Sequence, residues 1–254
     1  VEAVNENEKR WQFKMKKPMS SYLLSFAIGD FVKKTDESQD LAYYLDRSDS
    51  IHFEPTFRHT KRIHQFLEKK INFPYPWQNY KQVAVKDFLY AGMENTSCTL
   101  FSDAFVVDSI GYFDRNYVNV NAHEMAHQWF GNLVTEKSSK HHWLHEGFAT
   151  YYALLAEKEI FGEDYFYFKL YQNAKQLYDR SNKGDGEQVI SKNASSLTYY
   201  QAGAWALHAL HDQLTDEGFD DIISTYLERN KFSNVTTSDF LKVVAEKTDI
   251  DTLT

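Results

Sequence analysis

The sequence predicts an α+β fold in which strands come first and helices follow. Three observations carry this. Short extended segments are read between Trp11 and Val107, with one helical stretch among them, whereas after Tyr117 the pattern is mostly helical. Hydrophobic residues make up 43% of the 254, enough for one large core, or for one core plus a partial second unit. Four prolines and ten glycines are too few for the turns of a many-stranded barrel.

Residues Trp11 to Lys34 read as extended, and the apolar run Tyr22-Leu23-Leu24-Ser25-Phe26-Ala27-Ile28 is broken by Gly29-Asp30. From Pro55 to Ile71 the spacing turns helical, with Phe57, Ile63, Phe66, Leu67 and Ile71 recurring at threes and fours. Phe73-Pro74-Tyr75-Pro76-Trp77 is a turn, because each proline disfavours helix at its predecessor. Lys81 to Lys86 reads as a strand, Ala91 to Asn95 as a bend, and Thr99 to Val107 as a further strand. A helix is expected over Val120 to Leu133, and a second from near Leu144 to Phe161, stopped by Gly162. Three more helices follow, near Asp164–Asp179, Gln201–Leu214 and Phe219–Asn230, with a flexible loop at residues 181–186.

The formal net charge of −8 makes nucleic acid a poor partner; it suits solubility and, more weakly, a substrate carrying a positive amine. Cys98 is the only cysteine, so no intrachain disulfide forms. No apolar run approaches the roughly 20 residues that span a bilayer. The start, Val1-Glu2-Ala3-Val4, carries neither an initiator methionine nor a signal peptide and points to no particular compartment.

His123-Glu124-Met125-Ala126-His127 is an H-E-x-x-H motif. On a helix, positions four apart leave the same face one turn apart, so both imidazoles reach one ion. Glu124 is rotated about 100° from His123. It approaches an activated water without being forced onto the metal. A catalytic zinc site needs a third protein ligand and an open position. Glu146, in Trp143-Leu144-His145-Glu146-Gly147, falls in the first turn of the next helix, and an antiparallel return brings it to the end of the first. The expected set is therefore His123, His127 and Glu146 around one Zn2+, with Glu124 as general base, which is a hydrolytic arrangement. His145 is a rival ligand, but its ring leaves the helix about 100° from Glu146. His141, His142 and His145 are read as polar surface groups or as supports for the ligands.

The segment His123 to Asn132, then Trp143 to Ala149, together with Gly92-Met93-Glu94-Asn95 upstream, strongly resembles the gluzincin aminopeptidases, the family of aminopeptidase N. The resemblance runs from Tyr22-Leu23-Leu24 to the helices after Tyr200. It implies a thermolysin-like catalytic domain over residues 51–254, with residues 1–50 as the tail of a preceding β-rich domain, and further flanking domains beyond this chain. It implies that Glu94 holds the free α-amino group of a peptide, that Gly92, Met93 and Asn95 line the same cleft, and that Tyr200 stabilises the oxyanion. Peptides with a free N-terminus would be the substrates. The chain departs from the family pattern at His145, commonly asparagine, at Ala202, commonly lysine, and at Ser138-Ser139, where paired tryptophans are frequent. Ala202 leaves Tyr199 as an alternative to Tyr200. A zinc endopeptidase with the same ligands, and a zinc-binding scaffold domain without turnover, are the other two readings.

Overall fold

A computed structural model of the chain describes residues 2–5, 8–182, 189, 191 and 193–250. A short hairpin, β1 (Glu2–Asn5) and β2 (Glu8–Arg10), precedes the main sheet. That sheet has five strands: β3 (Phe31–Asp36), β4 (Leu41–Asp46), β5 (Tyr80–Val85), β6 (Gly92–Met93) and β7 (Cys98–Ser102), in the order β3-β4-β5-β7-β6. β4, β5 and β7 run parallel, and the edge strands β3 and β6 are antiparallel to their neighbours.

The expected α+β order is present, with differences at particular elements. The apolar run at 22–28 is not a strand. Leu24, Phe26 and Ile28 are exposed, and pairing begins only at Phe31. Ala91 to Asn95 is not simply a bend, because Gly92 and Met93 pair with Phe101 and Leu100. A division at residue 50 does not separate the sheet, since β3 and β4 lie before it and β4 pairs with β5 after it. Residues 183–186 of the expected flexible loop lie outside the described residues.

The crossover from β4 to β5 carries α1 (Phe53–Phe57) and α2 (Thr60–Ile71). Ile63, Leu67 and Ile71, four apart, are all buried, and Asn72 closes α2 in the left-handed conformation that asparagine tolerates. After the short α3 (Gly111–Asp114), α4 (Val118–Ala126) enters the core. A closed triangle of buried side chains fixes its position: Gln82 of β5 donates to Asn121 of α4 at 2.8 Å, Asn121 donates to Thr60 of α2 at 2.7 Å, and Thr60 donates to Gln82 at 3.1 Å. Each polar group is satisfied by the others, so the triangle specifies one docking of α4 on the sheet.

The strand β8 (Val134–Glu136) follows, and then α5 (Trp143–Phe161), whose buried residues lie on every side. A helix apolar all round sits at the centre of its domain. Accordingly α5 packs against α4, α6 (Glu163–Ser181) and α7 (Gly203–Asp212). A π-helical turn, Thr198–Ala202, leads into α7. The chain closes with α8 (Asp216–Asn230), β9 (Ser233–Val235), paired in parallel with β8, and α9 (Thr237–Lys247). Reading the sequence missed α9 although its start carries a capping box, in which Thr236 and Asp239 each satisfy the other's backbone N–H.

Candidate active site and metal centre

The helix that carries His123 ends at Ala126, not at Leu133 as expected, and His127 is its boundary residue. Beyond it the chain tightens: Gln128 and Trp129 bond back to Met125 and Ala126, and Gly131 turns the chain at φ 126°, a value that favours glycine. The turn has a consequence for the site. It returns the Phe130 carbonyl to His127, whose Nδ1–H donates to it at 2.8 Å. In the neutral ring the proton is thereby fixed on Nδ1, and the Nε2 lone pair is left facing the cluster.

His127 Nε2 lies 3.0 Å from His123 Nε2, His123 Nε2 lies 3.1 Å from Glu146 Oε2, and His127 Nε2 lies 3.4 Å from the same oxygen. Donors placed 2.0–2.1 Å from one tetrahedral ion are about 3.3 Å apart. The three atoms form that triangle, and the donor set, two imidazoles and a carboxylate, is one that zinc takes. The residues therefore fit the metal. Glu146 reaches them because α5 begins at Trp143 and puts it in the first turn.

Glu124 is buried beside the triad, and its Oε2 has no hydrogen-bond partner. Burial, reinforced by the Glu94 and Glu146 carboxylates, pushes its acid up to about 8. Burial alone would lower His127, but Glu146 and Glu94 outweigh it and push His127 up to about 10. Glu146 itself is held well below the usual carboxylate range by His127 and His123, against the effect of its burial. Glu94, Glu124 and His127 bring ligand atoms within 4.8 Å of one another, so the Gly92–Asn95 segment faces the same cluster. Gly92 touches it most closely: a Cβ there would stand 2.6 Å from Glu124 Cγ.

Tyr200, in the π-helical turn, lays its ring parallel to that of His123, with centroids 5.5 Å apart and planes 12° apart. Burial and the nearby Glu146 carboxylate raise the phenol above its usual range. Tyr199 instead meets the ring of His142 edge-on. Asn95 departs from expectation: its amide donates to the Leu23 carbonyl at 3.2 Å and anchors the segment instead of joining the cluster. His145 is not a ligand of the triad either, since its Nε2 accepts the backbone N–H of Glu136 at 2.6 Å. Burial lowers it to about 3, so the ring is neutral.

Two residues that the motifs contained were given no role. Gln128 and Asn132 are buried amides just past His127, and both donate to the Glu94 carbonyl, at 3.1 and 2.8 Å. Gln128 also accepts from the Ser97 N–H at 2.9 Å. The end of the histidine helix thus grips the backbone on which Glu94 is carried.

The model of the peptidase family M1 domain matches residues 55–254. The chain belongs to peptidase family M1. Within M1 it is 30% identical over 249 residues to leucine aminopeptidase 2 of Coccidioides immitis, covering 93% of this chain and 39% of that protein. It is 27% identical over 274 residues to glutamyl aminopeptidase of Sus scrofa, covering 98% of this chain and 28% of that one. Among solved structures, native yeast LTA4 hydrolase superposes with a TM-score of 0.77 at 26% identity, over 91% of this chain and 38% of that chain. This M1 chain thus spans about two fifths or less of the curated relatives named here.

Proposed function

We propose that this chain is the catalytic part of a zinc aminopeptidase. The observation that carries the reading is the triangle of His123 Nε2, His127 Nε2 and Glu146 Oε2 with the unpartnered carboxylate of Glu124 beside it. The names of the aminopeptidase relatives point the same way.

His123, His127 and Glu146 would hold one zinc ion. When bound, zinc polarises the scissile carbonyl and makes water a usable nucleophile near neutral pH. Glu124 takes a proton from the attacking water and later delivers it to the leaving amine; a buried carboxyl with a raised pKa is matched to both transfers. Tyr200 donates its phenolic hydrogen to the oxyanion that develops on the carbonyl. Glu94 pairs with the substrate's terminal ammonium by charge-assisted hydrogen bonds. An internal peptide bond would leave Glu94 without that partner, which is what makes the site an exopeptidase. Gly92 leaves room for Glu124, Met93 lines the cleft, and Asn95 supports the segment from behind.

The test compares a panel of aminoacyl amides with their N-acetylated analogues, using the full-length protein with its zinc measured. One zinc per chain and turnover confined to free amines are expected. Equal turnover of blocked and free substrates would replace the exopeptidase reading with an endopeptidase, and a zinc-loaded protein without turnover would make it a scaffold.

A further inference from the structure

A second group of side chains lies behind Glu146. Glu136 at the end of β8, His142 at the boundary of α5 and His145 one turn in bring ligand atoms within 4.8 Å of one another. The hydrogen bonds decide what this group does. His145 Nε2 already accepts the Glu136 N–H, so the proton of this neutral ring sits on Nδ1 and no nitrogen is left to bind a cation. The group is therefore short of a closed metal site.

His142 is differently placed. Its Nδ1 lies 3.2 Å from Glu136 Oε2, and its Nε2 lies 3.4 Å from Glu146 Oε1. The other oxygen of Glu146, Oε2, is the one that faces His123 and His127. The two oxygens of one carboxylate thus have separate partners. The Tyr199 ring, edge-on to His142 with centroids 5.0 Å apart, limits how the imidazole turns.

We propose that His142, steered by Glu136, is a positioning residue for Glu146: it pins Oε1 so that Oε2 is presented to the metal. The proposal rests on the zinc reading above. A carboxylate free to spin on its terminal bond must be ordered when a metal is captured, whereas one held by a second group is ordered beforehand, and supports of this kind are worth about 10–100-fold in metal affinity. Neither His142 nor Glu136 belongs to the buried core, so replacing them should leave the fold intact.

The experiment follows transfer of zinc from the full-length protein to a chromogenic chelator, for wild type, His142→Ala, His142→Gln and Glu136→Gln, with zinc stoichiometry and the metal-free Tm measured alongside. His142→Ala should give up zinc at a chelator concentration about tenfold lower, or less still, with the metal-free Tm unchanged. His142→Gln, which retains a donor toward Oε1, should recover part of the difference, and Glu136→Gln should fall between wild type and His142→Ala. Unchanged zinc retention in His142→Ala would overturn the proposal, as would a lowered metal-free Tm that accounts for the loss. Two zinc ions per wild-type chain, one of them lost in His142→Ala, would make His142 a ligand and overturn it too. A wild-type protein that binds no zinc would sink the zinc reading itself, an outcome distinct from the other three.

Discussion

At the residue scale, Glu124 is unusual for a carboxylate. It is buried and one of its oxygens has no partner, an arrangement that costs stability and persists where chemistry uses it. Glu124→Gln should keep zinc while kcat falls by about 10²–10⁴-fold. Retained turnover would remove Glu124 as the base. Tyr200→Phe should lower kcat by about 10²–10³-fold with little change in KM, and an unchanged kcat would count against its donor role. His123, His127 and Glu124 were legible in the sequence because a four-residue spacing on one helix dictates where side chains go, and Glu146 because it falls in the first turn of the next helix. Gln128 and Asn132 were not, because their partner is the backbone carbonyl of Glu94 on a distant segment. Nothing in local spacing encodes such a contact.

At the scale of elements, the site depends on how closely two helices meet. A Cβ built on Gly147 of α5 would stand 2.8 Å from the Gly203 Cα at the start of α7, and one built on Gly203 would stand 2.9 Å from the Gly147 Cα. This contact brings the π-helical turn, and with it Tyr200, over the histidine helix. Gly147→Ala should therefore push α7 outward, costing about 1–3 kcal/mol in thermal stability and lowering kcat more than it raises KM. A variant with wild-type Tm and kcat would show that the crossing is not what places Tyr200. The central helix was readable because Gly162 ends it and its apolar residues run all round. The end of α4 was not: only the folded turn at Gly131 shows why the helix stops at Ala126. The run at 22–28, exposed at Tyr22, Leu24, Phe26 and Ile28, misled for a related reason, since apolar character marks a strand only where a neighbouring strand pairs with it and a core covers it.

For the molecule as a whole, the buried cluster couples folding to pH and to metal. Glu124 ordinarily titrates at 4.5 and His127 at 6.5, and the fold raises them to about 8 and about 10. Their stabilising contributions are full below the lower values and are lost as pH rises through the upper ones. Glu146, held low, contributes in the opposite sense, above 4.5, and loses its contribution on acidification. As pH climbs from 4.5 to about 8 the metal-free protein should therefore lose stability relative to Glu124→Gln. Thermal denaturation across that range checks this, and parallel slopes in the two proteins would contradict it. Zinc requires a neutral His127, so its binding displaces that proton and its affinity rises with pH. All of this depends on one ion among three side chains. The most direct test is anomalous diffraction at the zinc edge from crystals of the zinc-loaded protein. A single peak about 2.0–2.2 Å from His123 Nε2, His127 Nε2 and Glu146 Oε2 is predicted. A peak lying instead among Glu136, His142 and His145, or no peak at all, would contradict the account.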